Sequence, residues 1–133
     1  VLAELRRRAS ERGGRMVTVF GCGGERDPGK RPQMGAAAAA RSDLLVITDD
    51  NPRGEESSRI IEEILGGVPA GTSVRVEPER AVAIAWAVEQ AERGDVILVA
   101  GKGHEAFQER AGVRHPFSDV DQARLALVRR GKQ

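Results

Sequence analysis

The chain is short of several residue types, and each shortage removes a class of function. Its 133 residues include one cysteine, Cys22, so no internal disulfide framework can form. Only His104 and His115 could join that cysteine, which leaves no metal-ligand cluster in the pattern. The lack of disulfides fits a reducing compartment, and a cytoplasmic location is expected. There is no Tyr, one Trp and three Phe, too few rings for a platform on which nucleic-acid bases stack. Charge of either sign is not in excess: 21 basic residues face 20 acidic ones, for a net charge of +1. That balance argues against nucleic acid or a membrane surface as partner. No apolar run approaches the roughly 18 residues of a membrane span. Val1 to Gly14 is charged and helical in pattern, unlike a signal peptide. The chain starts without Met and in mid-helix, the expectation for a piece of something longer.

What is present is an ordinary globular composition, 40% hydrophobic and 31% charged. One domain over 1–133 is expected, long enough to bury a core without disulfides or metal. Met16–Gly21, Leu44–Thr48 and Asp95–Ala100 read as buried, β-branched strands. Ser73–Val76 alternates and belongs nearer a sheet edge. Helical patterns lie between them. Pro32–Ala40 is alanine-rich, and Glu55–Leu65 carries Ile60, Ile61, Ile64 and Leu65 on one stripe. Pro78–Glu92 opens on a proline suited to a first turn, with Ala81, Ile84, Ala85 and Val88 on one face and Trp86 off it. Repeated strand–helix order predicts an α/β fold, a Rossmann-like, mostly parallel sheet with helices on both faces. The end differs. Ala106–Arg110 and Val113–His115 flank Ala111-Gly112 as a C-terminal β-hairpin. Ser118 then caps a last helix, Asp119–Arg130, with Leu125, Leu127 and Val128 partly packing back.

Ligands of open α/β sheets bind beyond the carboxyl ends of the strands. Three polar loops fall there: Gly21–Lys30, Asp49–Glu55 and Gly101–Glu105. The first satisfies G-x-x-x-x-G-K from Gly24 to Lys30, but Arg31 and Pro32 follow where a phosphate loop needs Ser or Thr. Pro28 also removes one backbone donor. The glycines are better read as allowing a sharp turn and close approach, which frees Arg26 to enter the cleft. In the second loop Asn51 offers amide donors and Arg53 a planar fork suited to a carboxylate. A solvated loop leading into a helix is the alternative. The third loop fits G-x-G-x-x-A, but the hairpin after it excludes a dinucleotide fingerprint. Glu105 can receive an ammonium or pair with a local Arg. His104 is either a base or a structural histidine.

In order, Phe20-Gly21-Cys22-Gly23-Gly24-Glu25-Arg26-Asp27, Gly29-Lys30-Arg31-Pro32, Met34-Gly35, Thr48-Asp49-Asp50-Asn51-Pro52-Arg53 and Gly101-Lys102-Gly103-His104-Glu105 resemble one family's motifs. That family is MurE, the UDP-N-acetylmuramoyl-tripeptide synthetases of peptidoglycan synthesis, in their meso-diaminopimelate-adding form, and the likeness is to their C-terminal domain. It runs from about Val17 to Leu127. Glu25, Pro28 and Gly54 depart from the family's common Asp, Lys and Ser or Thr.

The resemblance implies a ligase that joins meso-diaminopimelate to UDP-MurNAc-L-Ala-D-Glu. ATP phosphorylates the D-Glu γ-carboxylate, and the incoming amine attacks the acyl phosphate. It implies that Arg26 holds the carboxylate at the reacting centre, Asn51 and Arg53 the distal carboxylate, and Gly101 and Glu105 the distal ammonium. Asp50 and Pro52 complete and shape the middle loop. ATP and Mg²⁺ belong mainly to a central domain outside this sequence, so no catalytic or metal-binding residue is expected here, and no turnover by the chain alone. The assignment is physically coherent: a ligand with two ammonium and two carboxylate groups needs cationic and anionic anchors. Lysine lacks the distal carboxylate and would leave Arg53 desolvated and unpaired. Two other readings stand beside it. One is a sister Mur ligase or a folylpolyglutamate-synthase-like domain, against which the D-N-P-R loop speaks. The other is a non-enzymatic nucleotide-binding module.

Overall fold

The computed structural model describes residues 2–24, 29–102 and 105–131. Its elements are α1 (Leu2–Glu11), β1 (Met16–Phe20), α2 (Lys30–Arg41), β2 (Leu44–Ile47), α3 (Ser57–Leu65), β3 (Val74–Val76), α4 (Arg80–Gln90), β4 (Val96–Val99), β5 (Phe107–Arg110), β6 (Val113–Pro116) and α5 (Asp119–Gly131). The first four strands form a parallel sheet in the order β3-β2-β1-β4. The last two form an antiparallel hairpin. This is the α/β architecture that the strand–helix order predicts.

Side chains of a strand alternate between its faces, and here each face has its own core. Phe20, Leu45 and Ile47 pack with Ala38 of α2 and with Ile60, Ile61 and Ile64 of α3. Val17, Val19 and Val46 pack with Ala83, Ile84 and Ala87 of α4, and Ala123 of α5 closes over them. Both faces being covered explains why β1 and β2 read as continuous apolar runs. Cutting any of the three buried isoleucines of α3 to alanine costs about 2–5 kcal/mol.

Four expectations need correction. β4 is half-buried along its length rather than buried, because it is an edge strand with β1 as its sheet neighbour. Pro78 precedes the N-cap, Glu79, and α4 starts at Arg80. Its carbonyl is used elsewhere, accepting from the Asp49 N–H at 3.3 Å and from Thr48 Oγ1 at 3.2 Å. The buried stripe of α4 is Arg80, Ala83, Ile84, Ala87 and Val88. Ala81 and Ala85 lie beside it, only half-buried. Alanine suits either side of a helix, so the pattern alone could not choose. On α5, Leu125, Leu127 and Val128 are exposed, and Ala123 and Ala126 make the packing instead. Small residues there let α5 lie close on α4.

The other details agree. β3 is the opposite edge, as its alternation indicated. Trp86 flanks the core under a cation–π contact from Arg75, 4.8 Å from the ring centre. Ala111 and Gly112 form the two-residue turn with φ of +52° and +76°, the left-handed pair that matches strand twist. Ser118 Oγ accepts the Asp121 N–H at 3.2 Å, a side-chain cap on α5.

Candidate functional site

Parallel strands bring their carboxyl ends to one edge, so the turns after β1, β2 and β4 converge. A cleft of about 450 Å³ opens there, walled by Gly21, Gly23, Lys30, Arg31, Asp50 and Gly101 among others. An apolar cleft of about 390 Å³, including Phe20, Leu98 and Ala100, adjoins it and shares Gly21, Met34 and Gly101.

The glycine turn lies directly on the Asp-Asn-Pro-Arg loop. Gly24 donates its N–H to the Asn51 carbonyl at 2.6 Å, and Arg53 Nη1 donates to the Gly24 carbonyl at 2.9 Å. A Cβ on Gly24 would stand 1.7 Å from the Pro52 carbonyl oxygen, so close backbone approach requires glycine. Pro52 is buried, and its carbonyl accepts the Glu55 N–H at 3.0 Å.

The same loop is stitched to the hairpin. Arg53 donates its N–H to the Glu109 carbonyl at 3.0 Å and accepts from the Ala111 N–H at 2.6 Å. Gln108 Nε2 reaches the Asp50 carbonyl at 2.7 Å. Arg53 is left-handed, with φ of +55°, a conformation that costs an L-residue about 1–2 kcal/mol. Its two backbone bonds to the hairpin offset that cost and aim the side chain back toward Gly24. Among the described residues the Arg53 guanidinium contacts carbonyls, those of Gly24 and Asn51, and no carboxylate.

Lys102 joins the middle and third loops. Its ammonium is buried, 2.9 Å from Asn51 Oδ1, 3.0 Å from the Phe107 carbonyl and 3.1 Å from Asp50 Oδ1. The Asp50 contact is an ion pair without hydrogen-bond alignment. Glu105 is looser, its carboxylate 3.8 Å from Lys102 Nζ and its side chain 39% exposed. Among the described residues its partner is this lysine rather than the local Arg that was the alternative. Gly101 has φ of +111°, and a Cβ there would meet Asp50 Oδ2 at an ordinary 3.7 Å. Backbone conformation, not space, calls for glycine at that point.

Two arginines brace the floor. Arg31 donates to Glu55 at 3.0 and 3.1 Å, to Glu63 at 2.7 Å and to the Gly23 carbonyl at 3.0 Å. The Glu55 hydrogen bonds raise its pKa, against desolvation that lowers it, and Glu63 adds to the rise. Arg80 pairs with Asp119 and donates to the carbonyls of Asp49 and Ala100. Arg110 and Ser57 share the Asp49 carboxylate, at 2.9 and 2.7 Å. Cys22 faces the cleft as an inert thiol. Burial pushes its pKa up to about 11, Asp50 adds to the rise, and Arg31 opposes it.

Of the residues expected in the site, Asp50 and Gly101 line the cleft, Asn51 and Pro52 are buried behind it, Arg53 is tied to Gly24, and Glu105 lies beside Lys102. Arg26 and His104 lie outside the described residues. Lys102, Arg31, Arg80, Gln108 and Arg110 were missed by sequence reasoning. Arg31 and Arg80 carried a usable signal, since each sits in the first turn of a helix without an acidic residue there. A cation in that place opposes the helix dipole, so a buried partner is the natural explanation. Lys102 had none beyond its place between two motif glycines.

Comparison with known proteins adds an independent line. The model of the family described as "Mur ligase, glutamate ligase domain" matches residues 1–103. The chain is 59% identical over 130 residues to the UDP-N-acetylmuramoyl-L-alanyl-D-glutamate–2,6-diaminopimelate ligase of Acidovorax sp. (strain JS42), covering 98% of this chain and 26% of that protein. It is 55% identical over 121 residues to the ligase of the same name from Chromobacterium violaceum, covering 91% and 24%. A solved structure bearing that enzyme name superposes with a TM-score of 0.86 at 37% identity, over 98% of this chain and 28% of that one. The chain thus spans about a quarter of the length of the curated relatives it matches. With the family model, the relatives and the fold in agreement, the chain belongs to the Mur ligase family, as its glutamate ligase domain.

Proposed function

We propose that the chain is the C-terminal, amino-acid-receiving domain of a ligase that adds meso-diaminopimelate to UDP-MurNAc-L-Ala-D-Glu in cytoplasmic peptidoglycan synthesis. The relatives' names specify a 2,6-diaminopimelate ligase. One observation in the chain supports the reading: Lys102 joins the loop of Asn51 and Arg53 to Glu105, with its ammonium 2.9 Å from Asn51 Oδ1 and 3.8 Å from the Glu105 carboxylate. A fork and an amide receive the distal carboxylate, and Glu105 receives the distal ammonium. Arg26 is assigned the carboxylate at the reacting centre.

In this reading the chain orients the amino acid so that its free amine meets an acyl phosphate made from ATP on the remainder of the enzyme. Among the described residues no group of three or more His, Cys, Asp or Glu can hold a metal ion. No helix among the described residues is long and apolar enough to cross a membrane.

Titration of the isotope-labelled chain with meso-diaminopimelate, lysine and ADP, followed by amide chemical shifts, tests the reading. Shifts at Asn51, Arg53 and Glu105 with diaminopimelate, stronger than with lysine, are expected. Equal response to both amino acids, or response to ADP alone at these residues, would overturn it.

A further inference from the structure

We propose that Lys102 is the positioning residue that sets the polarity of this site, making it select an amino acid with a second carboxylate. The inference rests on the reading above and deepens it. Lys102 has no exposed side-chain surface, and a buried ammonium is tolerated only with good partners. It has three donors and no acceptor, so the Asn51 atom facing it at 2.9 Å must be the oxygen. The Glu109 N–H, also a donor, reaches the same atom at 2.8 Å. Two donors converging on one oxygen decide which way the carboxamide points. With Oδ1 held inward, Nδ2 is the group left to face a ligand, and it can only donate.

The second effect is charge. Asp50 lines the cleft, and its carboxylate is 3.1 Å from the Lys102 ammonium. Without that ammonium the Asp50 and Glu105 carboxylates would lose the cation nearest to both, which shifts the local balance toward ligand ammonium groups and away from carboxylates. Lys102 cancels Asp50 almost at contact and leaves the more exposed Glu105 as the ammonium receiver. Both effects act in one direction. They raise affinity for a ligand's extra carboxylate without Lys102 touching the ligand.

The test compares the wild-type chain with Lys102→Met and Lys102→Arg in titrations with meso-diaminopimelate and with lysine. Lys102→Met should weaken diaminopimelate binding at least about tenfold (~1.4 kcal/mol) while lysine binding changes by less than about threefold. Lys102→Arg, which keeps charge and donors, should recover part of the preference. An equal fall for both amino acids would make Lys102 a purely structural residue and overturn the proposal. Asn51→Asp guards against loss of folding in Lys102→Met. It keeps an acceptor for Lys102 and Glu109 but turns an oxygen toward the ligand, so it too should lose the preference for diaminopimelate. A retained preference in Asn51→Asp would overturn the proposal. Wild-type preference that survives in Lys102→Met overturns this inference alone, whereas absence of any wild-type preference overturns the functional reading with it.

Discussion

Arg80 and Asp119 form a buried, two-pronged pair, Nε to Oδ1 at 2.7 Å and Nη2 to Oδ2 at 2.8 Å. They are 39 residues apart in the chain. The same guanidinium donates to the carbonyls of Asp49, at 3.1 Å, and Ala100, at 2.9 Å. These are the residues from which the middle and third loops depart. The start of α5 is therefore tied to the base of the cleft, although α5 contributes no residue to its mouth.

Removing one partner of such a pair leaves the other charge buried and uncompensated. Asp119→Ala is expected to cost about 3–5 kcal/mol, measured by urea denaturation. The amide signals of Asp50 and Gly101 should shift as well, because Arg80 loses its anchor. A loss below about 1 kcal/mol would be that of an exposed surface pair and would remove Arg80 from the support of the cleft.

Arg53 offers a sharper test of ligand choice. Truncating one member of a desolvated charge pair costs roughly 2–5 kcal/mol, so Arg53→Ala should weaken meso-diaminopimelate binding by about 30-fold or more. Lysine, with no distal carboxylate, should lose much less. Some shared loss is expected, because Arg53 also holds the Gly24 carbonyl. Arg53→Lys keeps a cation but not the fork, and should lie between. Matching losses for both ligands would assign Arg53 to loop structure alone.

Acid stability should report Asp95, which is far from the cleft. Burial by itself would raise its pKa. Hydrogen bonds from the Arg15 side chain and from the Glu92 and Arg15 N–H groups outweigh burial and hold it at about 2, below the ordinary 3.8. A carboxylate with a depressed folded pKa stabilises the fold above its unfolded value, and the gain is lost as pH falls through the folded one. The wild type should therefore exceed Asp95→Asn by about 1–2 kcal/mol at neutral pH. The margin is kept modest because Arg15 is 38% exposed. The gap should close between about pH 4 and pH 2. A gap that persists unchanged to pH 2 would mean that shape, not charge, makes Asp95 matter.

Much of the fold was legible because its signals are local. β-branched runs, helical stripes and the Ala111-Gly112 turn each reside within a few neighbouring residues, and each led to the element found. Alanine-rich α4 was misread in face because Ala81, Ala83, Ala85 and Ala87 satisfy more than one orientation. α5 was misread for the converse reason: its large apolar residues point outward and its alanines make the contact.

The sequence by itself determined the order of elements, the parallel sheet and the presence of three polar loops at one edge, since periodicity and turn chemistry are written over short spans. It also carried the motif residues of those loops. Only the tertiary structure decided how those residues are held. The Lys102 ammonium meets Asn51 across 51 positions, Arg31 meets Glu63 across 32, and Arg110 meets Asp49 across 61. A buried cation takes whichever acceptors the packed elements bring within reach, and that choice has no local period to read.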